Sequence, residues 1–513
     1  MSEKKGQKIL FVAVFMVAAT LLSKVLGLAR DSLLTIYFGA GLESDAFSTA
    51  STLPTMLFDA VIGGVISATF IPVFNDIKTK NGKDAAMGFV NKFVTLIVCI
   101  TVLISIFGIV FRTQLVAFMA PEYDADRQAL AANLTAIMFP MIIFTGLAFS
   151  FVGLLQSYGE YNVPTIISLV SNMVIILYYV TLGNKFGIYG LAVTMIIAWS
   201  LQFLIEVPWI KKFGVKFRPD FRFADKSILQ AVKLAGPMLI ATWVQPLYTV
   251  VNQRLASNIP NAVTYIQQSS RLYLVITGVV SFVATNLIFP KLAQAIADKR
   301  MGDAKSLFQT SVRVMFMLIL PIMAIFMILS GPLANIIYGH GKMTAEGVGA
   351  IATLLKFYSI GMAGLAINEV LSKMFFSLQN SRIPMITSVA SMVVNVALAY
   401  ILFGVMQVNG LALATAIGSI TNAVLNAVLL RVKHPEFMKK VGVSEILKFV
   451  AAAAVAAAVT MALYMLLSLR FDTLTGYIIL ALCCGGAGAI AYALMLIATG
   501  AKDIKKLLSR KKG

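Results

Sequence analysis

Apolar runs of twenty or more residues follow one another along this 513-residue chain. Each is long enough to cross a bilayer as a helix. Only 12% of the residues are charged, against about 25% in a soluble protein. The chain therefore reads as an all-α polytopic membrane protein with no sizeable soluble domain. About fourteen spans are expected, the first six near 9–38, 42–74, 86–111, 128–156, 162–183 and 187–210. The other eight are expected near 227–256, 262–292, 305–331, 345–378, 382–405, 409–431, 444–468 and 474–499. The start, "MSEKKGQK", has the charge of a signal-peptide n-region. No small-residue cleavage site follows it, so it reads as the head of an uncleaved first helix.

A net charge of +20 would suggest nucleic acid in a soluble chain. Here most Lys and Arg fall between apolar runs, where they set topology. With the amino terminus inside, one side holds Lys4, Lys5, Lys8, Lys78, Lys80, Lys83, Lys211, Lys212, Lys216, Arg218 and further basic residues to the tail "KDIKKLLSRKK". The other holds only Arg112, Arg127, Lys185, Lys342 and Arg470. Both termini are expected to be cytoplasmic, and no nucleic-acid partner is implied. Cys99, Cys483 and Cys484 lie in apolar runs without metal spacing.

The chain also repeats. "NVPTIISLVSN" from Asn162 resembles "RIPMITSVASM" from Arg382, and "GIYGLAVTMII" from Gly187 resembles "QVNGLALATAI" from Gln407. Pro164 and Pro384, like Gly190 and Gly410, stand 220 residues apart. "ATFIPVF" from Ala68 and "NLIFPKLA" from Asn286 extend the match. The unit is six helices, and an even number makes the two copies parallel. The expected domains are an amino-terminal lobe over 1–222, a second lobe over 223–435, two extra helices over 436–500 and a basic tail over 501–513. In such transporters the substrate site is expected between the halves near the midplane.

On a helix, Thr20, Ser23, Lys24, Gly27, Arg30 and Asp31 fall within an arc of roughly 120°. Membrane-embedded charges face protein or water, so this stripe belongs against a wet cavity. Two readings stand. Arg30 and Asp31 pair with neighbours and lock the helix, or Lys24 and Arg30 present positive charge to an anion while Asp31 positions a basic neighbour. Intramembrane ionisable residues default to function, which favours the second. Arg271 lies about halfway along the eighth span, with Asp45, Asp59 or Glu369 as possible partners. Arg254 is placed to snorkel. Asp45, at a span mouth, suits a solvated or helix-capping role as well as function, and Asp59 lies deeper. Glu369 is expected to pair with Lys373 at i+4. Gly63, Gly64 and the prolines Pro54, Pro72, Pro237 and Pro246 read as bends and close contacts. A cavity lined by Lys24, Arg30 and Arg271 would attract phosphates, which guanidinium groups bind bidentately.

"SKVLGLARD" (23–31), "FGAGLESDAF" (38–47), "LP" at 53–54 and "GGVISATFIPVF" (63–74) resemble the opening signature of the MurJ (MviN) lipid II flippases. This family lies within the superfamily of polysaccharide flippases and multidrug exporters. The resemblance runs through "SSRLYLVITGVV" (269–280) to the two last helices. It implies transfer of undecaprenyl-diphosphate-linked peptidoglycan precursor, lipid II, between leaflets of the bacterial cytoplasmic membrane. It places Lys24, Arg30 and Arg271 as headgroup ligands and Asp45 in the "DAF" motif. Spans thirteen and fourteen resemble the groove for the polyprenyl tail, and cell-wall synthesis proteins become possible partners. The chain departs from the family pattern at Phe58, where a basic residue is common, and at Leu274, where some members carry an acid. A flippase for another polyprenyl-diphosphate-linked glycan and a cation-coupled drug antiporter are the rival readings. The antiporter would depend on Asp31, Asp59 and Glu369 rather than Arg30. A scaffold without transport would use the buried charges for assembly only. An enzyme on lipid-linked sugars would need acid, His or metal clusters, and His340 and His434 fall on opposite expected sides. No Walker lysine motif or cofactor signature is present, and a coupling ion is not readable.

Overall fold

The computed structural model describes residues 2–63, 69–438, 442–468 and 471–500. Gly64, Lys439, Lys440, Arg470 and the tail 501–513, used above for helix contacts and orientation, lie outside the described residues. The side chain of Pro237 lies outside them too. Among the described residues every regular element is helical.

Cα packing divides the chain into two units, Met1–Thr264 and Tyr265–Gly513. The first holds α1 (Ser2–Phe38), α2 (Leu42–Phe58), α3 (Ile71–Val110), α4 (Arg112–Met119) and α5 (Ala125–Met138). It continues with α6 (Met141–Ser157), α7 (Asn162–Thr181), α8 (Gly183–Lys212), α9 (Lys226–Thr242) and α10 (Val244–Ala256). Helix α11 (Ala262–Val283) starts at the boundary. The second unit goes on with α12 (Phe289–Ala297), α13 (Met301–Ile328), α14 (Ser330–Tyr338), α15 (Ala345–Ile360) and α16 (Met362–Ser377). It ends with α17 (Arg382–Met406), α18 (Val408–Lys433), α19 (Pro435–Met438), α20 (Val443–Leu467) and α21 (Leu474–Ala498).

Among the described residues nine helices are long and apolar enough to span a bilayer, or ten if α15 and α16, bent by 41°, count as one. Each of the fourteen expected spans coincides with helix, several of them broken. The fourth is α5 and α6, the seventh α9 and α10, and the tenth α15 and α16. Large apolar side chains face outward, with Val405 82% and Leu482 70% exposed. An apolar surface of this kind suits lipid.

Within the first unit α1 packs along α7, α7 along α8, α6 against α8 and α3 against α6. In the second, α17 packs along α18 and α16 against α18, repeating the α7–α8 and α6–α8 pairs. Helices α20 and α21, outside the repeat, pack on each other, α20 also on α13 and α21 on α14. The first unit's aromatic core has Phe70 edge-on to Phe93 at 5.1 Å and Tyr158 stacked on Phe213 at 4.9 Å.

The repeat is also written into the backbone. The non-glycine residues with positive φ among the described residues are Asn261, Lys299, Gln379 and Gln407, all at 261 or beyond. Gly39, Gly82, Gly159 and Gly187 have the same sign of φ 217 to 222 residues earlier. Helix caps repeat too. Asp124 accepts the Arg127 N–H at 2.8 Å before α5, and Thr344 accepts the Gly347 N–H at 3.2 Å before α15. At the break between α7 and α8, Gly187 has φ 56° and ψ −152°. Gln407, in the same place between α17 and α18, has φ 51° and ψ −132°. This region is almost confined to glycine, and a side chain there costs about 1–3 kcal/mol. Gln407 is exposed and makes no side-chain bond among the described residues. Gln407→Gly is therefore expected to stabilise the protein by about 1 kcal/mol, because the unfolded chain gains part of the relief. A higher midpoint of thermal aggregation in detergent checks this; a lower one contradicts it.

Candidate functional site

Helix α1 carries its polar stripe against α7. The Arg30 guanidinium donates to the Asp31 carboxylate at 2.9 and 2.6 Å and to Asn172 Oδ1 at 3.1 Å. Asn172 returns a bond from Nδ2 to the Ser23 carbonyl at 3.1 Å. The Arg30 and Asp31 side chains are each 19% exposed. Gly27 lets α7 come close, since a Cβ there would lie 3.6 Å from Asn172 Nδ2. Arg30 and Asp31 thus sit in a clamp between α1 and α7. One turn earlier, Lys24 is half-buried. Its ammonium has no hydrogen bond or ion pair among the described residues.

Asp45 is fully buried. Its oxygens accept the Asn261 N–H at 3.0 Å, the Thr264 N–H at 2.9 Å and the Thr264 hydroxyl at 2.6 Å. These are free donors of the first turn of α11, so Asp45 caps that helix from another part of the chain. Arg127 Nε stands 3.8 Å from the same carboxylate. The Tyr123 hydroxyl donates to the Asp45 carbonyl at 3.2 Å, and Gln253 donates to Thr49 at 2.6 Å, 2.9 Å from the Tyr123 oxygen. Of the two roles read for a mouth residue, the geometry is that of a cap, not of a solvated carboxylate.

Asp59 is exposed and opens a π-helical turn over Asp59–Gly63. Such turns often mark functional sites. Phe58 turns inward onto Phe149, ring centroids 5.5 Å apart, so the position that is commonly basic in the family is here part of the core.

In the second unit one face of α11 is fixed. The Ser269 hydroxyl donates to the Ile351 carbonyl at 3.1 Å, and Tyr273 stacks on Tyr358 at 5.6 Å. Arg271 and Leu274, on the other face, are exposed. The expected Glu369–Lys373 pair is absent among the described residues. Lys373 Nζ lies instead 5.7 Å over the rings of Phe289 and Phe376, a cation–π arrangement that keeps it off the carboxylate. Arg254 lies over Phe118 at 6.0 Å and donates to its carbonyl at 3.2 Å.

The connection from α8 to α9 is pinned along α3. Arg218 and Asp220 donate backbone N–H groups to Asn91 Oδ1 and Thr95 Oγ1, and Lys92 bonds Asp225 at 2.7 Å. Asp225 also caps α9 through the Ser227 N–H. The Lys92 bond, then Ser227, draw the Asp225 carboxyl down to about 2 from 3.8. A folded value below the unfolded one gives stabilisation that is complete above about pH 4 and lost as the pH falls through about 2. Hydrogen exchange at 216–226, corrected for intrinsic rate, should accelerate over that window. At neutral pH Lys92→Met should speed tryptic cleavage after Lys216 and Arg218 by about 5–30-fold, for a pair of about 1–2 kcal/mol. An unchanged cleavage rate contradicts the pinning.

One buried acid escaped the sequence reading. Glu206, in "FLIEVPW" on α8, is fully buried with both carboxyl oxygens unpartnered among the described residues. A lone acid in an apolar run was the available signal; its lack of a partner was not visible without coordinates.

The architecture is that of a polytopic helical transporter fold. An inward-facing multidrug resistance MATE transporter of the MOP superfamily matches with a TM-score of 0.68 at 14% identity, covering 83% of this chain and 99% of that one. A structure titled lipid II flippase MurJ, inward closed conformation, matches with a TM-score of 0.80 at 22% identity, covering 96% and 99%. In sequence, the chain is 28% identical over 415 residues to the lipid II flippase MurJ of Burkholderia cenocepacia, 79% of this chain and 80% of that protein. A probable lipid II flippase MurJ of Bdellovibrio bacteriovorus matches at 26% over 460 residues, 87% of each. The family model described as lipid II flippase MurJ matches residues 34–484. The chain belongs to the lipid II flippase MurJ family.

Proposed function

We propose that this chain carries lipid II from the inner to the outer leaflet of the bacterial cytoplasmic membrane by alternating access, with both termini cytoplasmic. The family match over residues 34–484 carries this reading. The α1 stripe supports it, because Lys24 keeps an uncommitted positive charge on a polar face. Lys24, Arg30 and Arg271 are assigned to the diphosphate and headgroup, Asp31 and Asp45 to support, and Asp59 to gating. A cationic residue held at membrane depth is costly, and phosphate oxygens relieve that cost through charge-assisted hydrogen bonds. Residues 1–222 and 223–435 are proposed as the two lobes that rock, and the helices over 436–500 as the seat of the polyprenyl tail. A potential negative inside favours outward passage of an anion by about 2.3 kcal/mol per charge per 100 mV.

The test is outer-leaflet accessibility of labelled lipid II in cells depleted of their native flippase and supplied with this chain. Accessibility should return to the level given by the native protein. Normal membrane levels of this chain without that recovery would refute the proposal.

A further inference from the structure

Glu206 belongs to a buried row on α8, Thr194, Ala198, Gln202, Glu206 and Ile210, spaced by one helical turn. Gln202 donates to Ser171 Oγ at 2.7 Å, and Ser171 adjoins the Asn172 that holds Arg30. The repeat shows what is unusual here. Asn426 stands 220 residues after Glu206, is equally buried, and donates to Asn368 Oδ1 at 2.8 Å and to Asn422 Oδ1 at 3.1 Å. The residue 220 before Asn368 is Ala148, fully buried on α6. The second unit gives its polar side chain an amide partner, whereas the first puts a carboxyl in that place and a methyl group opposite.

No charge answers it. Helices α6 and α7, packed against α8, contain no charged side chain. Of the titratable groups beside them, the Tyr158 ring is stacked on Phe213 and Glu160 accepts the Asn162 N–H at 3.0 Å. Tyr178 and Tyr179 lie about two turns beyond Ser171, away from Glu206. Asp126 and Arg127 of α5 lie toward the Asp45 cap. On α1, Arg30 and Asp31 hold each other, and Lys24 lies a turn and a half before Arg30. On α2, Glu43 and Asp45 are at its start. Lys211 and Lys212 on α8 itself are exposed. A carboxylate sealed from water with neither cation nor donor is too costly to persist, whereas the uncharged acid is tolerated.

We infer that Glu206 is a proton-binding site of this transporter. The carboxyl stays protonated while α6, α7 and α8 are packed around it. When water reaches that end of the unit, the O–H bond breaks, the proton passes to water and the carboxylate remains until repacking takes a proton back. The inference rests on the flippase reading for its role in transport, and the proton site itself is read independently of it. Gln202, one turn away, and its partner Ser171 place this acid next to the clamp that orients Arg30.

The experiment uses the full chain in nanodiscs and in proteoliposomes. Infrared spectra at neutral pH should show a protonated-carboxyl carbonyl band that is missing from Glu206→Gln and displaced in Glu206→Asp. Lipid II flipping should vary with pH on the Lys211–Lys212 side over about pH 6 to about 9, and Glu206→Gln should flatten that profile while keeping the rate of the protonated form. A spectrum identical in wild type and both variants overturns the proton site. A lost band with an unchanged pH profile overturns its coupling to transport. If the Gln variant does not accumulate, the wild-type and Asp spectra alone decide the site. If the wild-type chain does not flip lipid II, the proposed function fails while the infrared result still decides the proton site.

Discussion

Asp45→Ala is expected to destabilise the protein by about 3–5 kcal/mol and to lower its membrane level sharply. The carboxylate accepts three hydrogen bonds at the start of α11 and faces Arg127 at 3.8 Å, all fully buried. Removing one member of such a set leaves the others desolvated and unpaired, which costs far more than the net worth of the bonds. Asp45→Asn keeps the shape but turns one acceptor into a donor facing a backbone N–H, for an expected loss of about 1–2 kcal/mol. Fluorescence-detected size exclusion after heating ranks the variants. Wild-type stability for the Ala variant would show that Asp45 is not what holds the first turn of α11.

The second large effect concerns Lys24 and separates it from Arg30. Lys24 has no partner to lose among the described residues, so Lys24→Ala should leave membrane level and stability unchanged. If the ammonium contacts a phosphate oxygen, the variant gives up about 1.5–3 kcal/mol, a fall in flipping of about 10–100-fold. Arg30→Ala strips Asp31 and Asn172 of their bonds, so it should lower stability by about 1–3 kcal/mol as well as transport. The leaflet-accessibility assay, normalised to membrane level, distinguishes the two. Full flipping by Lys24→Ala would remove Lys24 from the substrate site.

The spans and the repeat were readable because lipid imposes a length on each helix and because Pro164 and Pro384 punctuate the two copies in register. Contacts between distant residues were not. Asp45 and Thr264 are 219 positions apart, and nothing in "DAF" says which donors the carboxylate meets. Neighbours in sequence do not usually face each other on a helix, yet Arg30 reaches Asp31 because its long guanidinium folds back once Asn172 fixes its far side. Lys373 chose two rings over a carboxylate one turn away, a choice set by the Phe289 position that helix spacing does not reveal.

Glycine holds Gly159 and Gly187 in positive φ without penalty, while Gln379 and Gln407 hold the matching places with side chains that oppose it. The two copies of one ancestral layout therefore fray differently. On warming, amides around 379 and 407 should begin to exchange with deuterium sooner than those around 159 and 187, leaving one half of the molecule softer at its turns than its twin.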